Sequence, residues 1–197
     1  MRLKDKVAIV TGSGAGIGKS ITEVFAKEGA KVVGASRRSQ NGQPVIDSIT
    51  AKGQEAIFVQ CDVSIEEDVR NLIQAVIDKY GRIDILVNNA GVNFVKDFDK
   101  LNSSDWDRVI NTDLRGTYLC SRYVIDSMLE NGKGSIINTG TVHTMQCLPG
   151  AGPYDAAKWG MVGLTKSMAV EFASRNIRVN VLSPGLIDTQ IWDDIKN

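Results

Sequence analysis

Short runs of β-branched and apolar residues alternate with helical patterns along the whole chain. Several of these runs show little polar alternation, which is typical of parallel strands covered on both faces. Six strands are therefore predicted, at Val7–Val10, Lys31–Ala35, Ala56–Val59, Ile85–Val87, Gly134–Asn138 and Ile177–Leu182.

Between the strands, apolar residues recur at the spacing of amphipathic helices. The predicted helix faces are Ile17, Ile21, Val24 and Phe25; Val69, Leu72, Ile73, Val76 and Ile77; Leu114, Tyr118, Ile125 and Met128; and Ala157, Met161, Leu164, Met168 and Phe172. Strands that alternate with helices predict an α/β fold with a doubly wound parallel sheet and right-handed crossovers. The sequence contains no repeat, low-complexity segment or linker, so residues 1–197 are interpreted as a single domain.

Composition and charge narrow the function classes. Lys plus Arg and Asp plus Glu both number 23, and without a basic cluster nothing favours nucleic-acid binding. No apolar run approaches the ~20 residues of a membrane helix, and the N-terminus does not resemble a signal peptide. Cys61, Cys120 and Cys147 fit neither a disulfide framework nor a zinc motif, so we expect reduced thiols in a cytoplasmic protein. His143 is the only histidine, which excludes a His-rich metal site, and no metal is predicted.

A glycine-rich turn, Gly12 to Gly18, lies between the first predicted strand and the first predicted helix. Glycines permit a tight turn and let the backbone approach a pyrophosphate, while the helix N-terminus offers N–H groups and partial positive charge. This context predicts a dinucleotide-binding site. Two other interpretations are open. A P-loop would need glycine at Ser13, since Gly12 is one position too early, and the turn could also be a connection without a ligand.

The end of the second strand bears on which dinucleotide binds. In NAD-binding sites, an acidic residue about 20 positions further on holds the ribose 2′-hydroxyl. Here Ser36 occupies that place, and Arg37 and Arg38 follow. Without a carboxylate to repel it, a 2′-phosphate can form charge-assisted bonds with Arg37, so NADP(H) is favoured and NAD(H) remains possible. The alternative is that both arginines are solvated loop cations.

Tyr154 and Lys158 are four residues apart in a helix-compatible segment, which places both on one helix face. A tyrosine has an ordinary pKa of about 10, and a nearby ammonium favours the phenolate and lowers that pKa. The pair therefore suits general acid–base catalysis, in which Tyr154 gives a proton to a carbonyl oxygen as hydride reaches carbon. A Tyr-x-x-x-Lys pair also occurs on helix surfaces that have no catalytic role.

Several motifs occur together in one order: Thr11-Gly12-x-x-x-Gly16-Ile17-Gly18, Asp62-Val63, Asn88-Asn89-Ala90-Gly91, Asn111, Tyr154-x-x-x-Lys158, and Ser183-Pro184-Gly185 followed by Thr189. As an ordered set they resemble the short-chain dehydrogenase/reductase family, in its main type, over nearly the whole chain. The resemblance implies a Rossmann-like fold and the activity of an NAD(P)-dependent alcohol dehydrogenase or carbonyl reductase.

The resemblance also implies a cofactor-binding set: Gly12, Ser13, Gly16, Ile17, Gly18, Ser36, Arg37, Asp62, Val63, Asn89, Ala90, Gly91, Tyr154, Lys158, Pro184, Gly185, Ile187 and Thr189. Asp62 and Val63 would lie beside the adenine, and Ile187 and Thr189 would contact the nicotinamide amide. Family members that prefer NADP often carry a basic residue at the position of Ala15, which this chain lacks.

Two further catalytic roles and a substrate pocket come from the same resemblance. Thr141 stands where the family usually has serine, and its hydroxyl has the same capacity to hydrogen-bond a substrate carbonyl. Its extra methyl group restricts χ1 and crowds the site. Asn111 would distort a helix and anchor a water relay behind Lys158. His143 and Cys147 lie in the segment that lines the substrate pocket in the family.

Family members normally continue through a substrate-covering helix pair, another helix and a seventh strand. The sequence therefore predicts six strands, with the sixth as an open edge, in a domain that lacks this usual C-terminal segment. We expect a small carbonyl or alcohol substrate and a homo-oligomer, either dimer or tetramer. The alternative function is a catalytically weak NADP-binding sensor or scaffold, which Thr141 and the absent segment motivate.

Overall fold

Six strands form where the apolar runs predict them in a computed structural model, which describes residues 1–189. Each strand ends within one residue of its predicted bounds. The strands are β1 Val7–Thr11, β2 Lys31–Ser36, β3 Ala56–Gln60, β4 Ile85–Asn88, β5 Gly134–Thr139 and β6 Ile177–Leu182.

Helices connect successive strands. They are α1 Gly16–Lys27, α2 Ser39–Thr50, α3 Glu66–Tyr80, α4 Ser103–Val109, α5 Gly116–Glu130 and α6 Gly152–Phe172. A π-helix, Ile110–Arg115, joins α4 to α5, and short 3₁₀ turns lie at Phe98–Lys100, Val142–Thr144 and Ala173–Arg175. Among residues 1–189, no helix combines the length and apolar character needed to cross a membrane.

All the strand pairs are parallel, and their order across the sheet is β3-β2-β1-β4-β5-β6. The chain therefore builds outward from β1 in one direction and then, beginning at β4, in the other. In such a sheet, a crevice opens where the order reverses, outside the carboxyl ends of the two central strands. The predicted doubly wound, Rossmann-like sheet is confirmed, and it places the glycine turn after β1 at that crevice.

Both faces of the sheet are covered, as the apolar strands predict. On β1, Val7 and Ile9 pack into a core with α3, α5 and α6, whereas Ala8 and Val10 pack into a second core with α1 and α2. Burying each large aliphatic side chain contributes about 1.5–3 kcal/mol. These two cores hold the carboxyl ends of β1 and β4 in a fixed relative position.

The predicted helix faces differ in how well they match the buried surface. The face of α3 matches closely, since its predicted residues from Val69 to Val76 are buried. The predicted face of α1 is only partly buried: Val24 is 50% exposed, and the residues packed most tightly are Gly18, Thr22 and Ala26. At Gly18 a side chain is excluded, because a Cβ atom there would meet the carbonyl oxygen of Gly12 in the glycine turn.

Candidate active site

A cleft at the carboxyl edge of the sheet collects most of the predicted site residues. It is lined by Gly12, Gly16, Ile17, Ser36, Arg37, Val63, Asn89, Ala90, Gly91, Thr141, His143, Tyr154, Lys158, Pro184, Gly185, Ile187 and Thr189. Five predicted residues do not line it, namely Ser13, Gly18, Asp62, Asn111 and Cys147. The glycine turn and the Tyr154–Lys158 pair therefore face one shared space.

The backbone of the glycine turn forms a cradle. Gly12 and Gly16 have φ values of +67° and +51°, in the left-handed region that favours glycine. A Cβ atom on Gly18 would overlap the carbonyl oxygen of Gly12, so only glycine lets α1 start this close to β1. Ala15 precedes α1 without a side-chain cap, which leaves the first-turn N–H groups available to an anion. This arrangement fits the pyrophosphate of a dinucleotide.

Ser13 and Gly18 support the turn from behind instead of lining the cleft. Ser13 is fully buried, and both its backbone N and its hydroxyl donate to the carbonyl oxygen of Ala35, at 3.2 and 3.4 Å. The glycine turn is therefore hydrogen-bonded to β2, and it continues directly into α1.

Asn89 ties the end of β4 to the glycine turn. Its side-chain amide donates to the carbonyl oxygens of Thr11 and Gly12, at 3.2 and 3.4 Å. The Thr11 hydroxyl in turn accepts from the backbone N atoms of Asn89 and Ala90, each at 3.0 Å. These bonds lock together the two strands that flank the crevice, so Asn89 acts through the shape of the cleft.

The end of β2 presents two cations to the cleft. The Arg37 guanidinium lies 3.9 Å from the Asp62 carboxylate, and its side chain is 45% exposed. Arg38 also lines the cleft, although only Arg37 was predicted to bind cofactor. Asp62 accepts from the backbone N and the hydroxyl of Ser64, at 3.0 and 2.7 Å, which orders it just outside the lining.

Tyr154 and Lys158 lie in the first two turns of α6, with the Lys158 Nζ 5.4 Å from the centre of the tyrosine ring. Lys158 is almost fully buried. Its ammonium donates to the carbonyl oxygen of Thr139 at 3.0 Å and lies 3.3 Å from a carboxylate oxygen of Asp113. The ammonium is therefore held in place from both β5 and the π-helix.

The pKa of Tyr154 is raised above its ordinary value, which differs from the effect that sequence spacing suggested. Burial is the largest cause, because it disfavours the charged phenolate. Lys158 acts in the predicted direction and lowers the pKa, and the Thr141 hydroxyl does the same. The carboxylates of Asp113 and Asp155 raise it further. Sequence spacing could not reveal the burial or these two carboxylates.

Thr141 and His143 complete the wall next to Tyr154. Thr141 lies two residues after the end of β5, and its hydroxyl accepts from the backbone N of His143 at 3.3 Å. The His143 ring meets the ring of Tyr154 edge-on, with centroids 5.5 Å apart. Its Nδ1 lies 2.7 Å from the carboxylate of Asp155, in a pair that is nearly buried. Cys147, the other predicted pocket residue, is exposed and lies outside the cleft lining.

Two polar residues of the π-helix, Asn111 and Asp113, lie in different surroundings. The π-helix is the helix distortion expected near Asn111, but Asn111 itself is exposed and does not line the cleft. Asp113 is fully buried beside Lys158 instead. Residues two positions apart on a helix face different directions, so only one of them can reach Lys158. Nothing in a single sequence distinguishes the residue that faces inward.

Comparisons with known proteins agree with this fold. A family model described as short chain dehydrogenase matches residues 6–197. An uncharacterized oxidoreductase of Thermotoga maritima is 41% identical over 190 residues, which cover 96% of this chain and 74% of the relative. The 3-oxoacyl-[acyl-carrier-protein] reductase FabG of the same organism is 36% identical over 195 residues, covering 99% and 79%. A solved short-chain type dehydrogenase/reductase from Mycobacterium marinum superposes with a TM-score of 0.92 at 34% identity, covering 96% and 76%.

Proposed function

The chain belongs to the short-chain dehydrogenase family of oxidoreductases, in which NAD(P)-dependent hydride transfer is general, and we propose that it interconverts a carbonyl compound and a secondary alcohol with NADP(H). One observation is the main support for this proposal. Tyr154, Lys158 and Thr141 face the same cleft as the glycine turn, so a proton donor and a dinucleotide cradle share one space.

The residues divide the chemistry between them. When bound, the nicotinamide supplies the hydride for carbonyl reduction and accepts it in alcohol oxidation. Thr141 donates a hydrogen bond to the substrate oxygen, and Tyr154 transfers its proton to that oxygen to complete the alcohol. A tyrosine is protonated at neutral pH, and the raised pKa of Tyr154, caused first by burial, favours that protonated form, which is the one that acts as the acid. Lys158 lies near enough to stabilise the phenolate that remains.

The preference for NADP(H) rests on the end of β2. Arg37 and Arg38 both line the cleft, and no acidic side chain of β2 stands in the place of Ser36 to repel a 2′-phosphate. The ion pair between Arg37 and Asp62 and the absence of a basic residue at Ala15 are the observations that favour NAD(H). A phosphate would bring a stronger partner to Arg37 than the distant carboxylate of Asp62.

Cofactor binding to the Arg37→Ala variant tests this preference. Loss of a charge-assisted contact should weaken NADPH binding roughly 10- to 100-fold and leave NADH binding unchanged. Arg175→Ala is the matched control, because Arg175 is an exposed arginine in the 3₁₀ turn after α6. Tighter binding of NADH than of NADPH by the wild-type protein would reverse the assignment.

Substrate turnover is tested by following oxidation of the reduced cofactor with a panel of ketones. A 3-oxoacyl thioester belongs in the panel because one relative is named for that activity. Tight NADPH binding without turnover of any carbonyl would favour the alternative, a sensor or scaffold, to which the crowded Thr141 position points. A cytoplasmic location, assembly as a dimer or tetramer and the absence of nucleic-acid binding remain predictions.

A further inference from the structure

Asp113 is a buried carboxylate beside the proposed catalytic residues, and it has no assigned role. Its residue is 0% exposed. One carboxylate oxygen accepts from the backbone N of Val92 at 2.8 Å, and the other lies 3.3 Å from the Nζ of Lys158. A Cβ atom on Gly91 would come within 2.8 Å of that second oxygen, so the site is closely fitted around the carboxylate.

Four titratable groups surround the ring and hydroxyl of Tyr154. Lys158 and Asp155 come from α6, His143 from the 3₁₀ turn after β5, and Asp113 from the π-helix. The Lys158 ammonium lies beside both Asp113 and Tyr154, which therefore share it. Asp155 has its own partner in His143. The balance between Asp113 and Lys158 therefore decides how much positive charge Tyr154 experiences.

We propose that Asp113 is a positioning residue that fixes the Lys158 ammonium and, through its negative charge, opposes ionisation of Tyr154. The attraction between Lys158 and a phenolate is partly cancelled by a carboxylate 3.3 Å from the same ammonium. Water does not screen this effect strongly, because both partners are nearly or fully buried. A neutral side chain of the same shape would leave the charge of Lys158 uncompensated.

The direction of the pKa values supports the geometry. The negative charge of Asp113 raises the pKa of Tyr154, after burial as the main cause. Burial also raises the pKa of Asp113 itself, against the charge of Lys158 and the hydrogen bond from Val92. As a consequence, Tyr154 stays protonated to higher pH, which extends carbonyl reduction toward alkaline conditions. This catalytic consequence rests on the proposed function, whereas the effect on ionisation does not.

The test is a tyrosinate absorbance titration of the wild-type protein and of Asp113→Asn. Subtracting the same titration of each protein with Tyr154→Phe removes the other three tyrosines. The midpoint of Tyr154 in Asp113→Asn should fall by about one pH unit or more, the usual size of a nearby-charge effect. Circular dichroism at each pH limits the comparison to the folded range. Asp84→Asn, a buried carboxylate at the opposite end of β4, should leave the midpoint unchanged.

A residue with only a structural role would give a different result. Asparagine can still accept the bond from Val92, so a folded Asp113→Asn protein with an unchanged midpoint would overturn the proposal even if turnover fell. Asp113→Ser removes the charge with a smaller side chain and serves if the asparagine variant does not fold. Where a ketone is reduced, the alkaline limb of kcat/KM should move to lower pH with the same variants. If no ketone is reduced, the titration still decides the role of Asp113.

Discussion

The two halves of the cleft are built from different groups. On the β1–β3 side, the cleft is formed mainly by backbone, with three glycines and a helix N-terminus without a side-chain cap, and Arg37 and Arg38 line it at the end of β2. On the β4–β6 side, the wall is formed by ionisable side chains, chiefly the buried Lys158 and Asp113 and the partly buried Tyr154. A backbone site depends on local sequence, because φ values and helix starts are set within a few residues. A site of buried charges depends on which distant elements meet.

The two sides of the cleft also differ in the free-energy cost of burying their groups. The glycine turn holds no charge, so packing around it costs little beyond the choice of glycine. The opposite wall buries a lysine, two aspartates and a histidine as two contacting pairs, Lys158 with Asp113 and His143 with Asp155. Buried charges are tolerated only when each has a partner, so a change to one residue alters the ionisation of the next.

Of the substitutions considered, Tyr154→Phe should have the largest effect on turnover. Loss of the general acid should reduce kcat by about 10²- to 10⁴-fold, the usual contribution of such a group. NADPH binding, measured by fluorescence titration, should change less than about threefold, because the cradle on the other side is untouched. Tyr118→Phe, which alters a half-exposed tyrosine on α5, is the control. Full turnover by Tyr154→Phe would remove Tyr154 from the mechanism.

Two substitutions at Thr141 distinguish the contribution of its hydroxyl from that of its methyl group. Thr141→Ala should lower kcat by about 10²-fold, since a donor to the developing oxyanion is lost. Thr141→Ser should retain or increase turnover, because the donor remains and the crowding methyl is removed. Both rates come from steady-state kinetics at saturating NADPH. Equal rates for the alanine variant and the wild type would show that Thr141 does not contact the reacting oxygen.

Gly18→Ala should distort the glycine turn and leave the opposite side of the cleft, with Tyr154 and Lys158, unchanged. The added Cβ atom meets the carbonyl oxygen of Gly12, so α1 must shift. We expect the Kd for NADPH to rise about tenfold and the free energy of unfolding to fall by about 1–3 kcal/mol, as for other overpacked sites. Gly163→Ala in α6, where a Cβ atom meets open space, should be neutral or stabilise by up to ~1 kcal/mol. Unchanged NADPH binding by Gly18→Ala would mean that the turn does not form the cradle.

Asp84→Asn should have the smallest effect on function, and Asp84 contrasts with Asp113. Burial opposes the ionisation of Asp84, but bonds from Arg82 and the Val7 amide, with the charges of Arg82 and Lys6, outweigh it and lower its pKa. Since the folded pKa is depressed, Asp84 stabilises the fold above its unfolded pKa of about 3.9, and this stabilisation is lost as pH falls. Asp84→Asn should cost about 1–3 kcal/mol at neutral pH without affecting turnover.

Urea unfolding at several pH values measures this contribution. The difference between the wild-type protein and Asp84→Asn should shrink as the pH drops below about 4. A difference that stays constant from neutral to acidic pH would show that the charge of Asp84 does not contribute.

The accuracy of the sequence predictions follows the same division. Strand β1 and the face of α3 were predicted well because local apolar spacing determines them. The face of α1 was predicted less well, since the close approach of its Gly18 to the glycine turn is a tertiary constraint. The interaction of Asp155 with His143 had no signal in the sequence beyond the position of Asp155 directly after Tyr154.

The sequence by itself determined the six strands, the position of the glycine turn after β1 and the shared helix face of Tyr154 and Lys158. Each of these depends on spacing within a few residues, where backbone geometry leaves little freedom. Only the tertiary structure decided that Asp113, two positions after Asn111, is the residue beside Lys158. Only the tertiary structure decided, too, that burial raises the pKa of Tyr154. Burial and pairing of charges arise where separate elements meet, and a linear pattern contains no record of that contact.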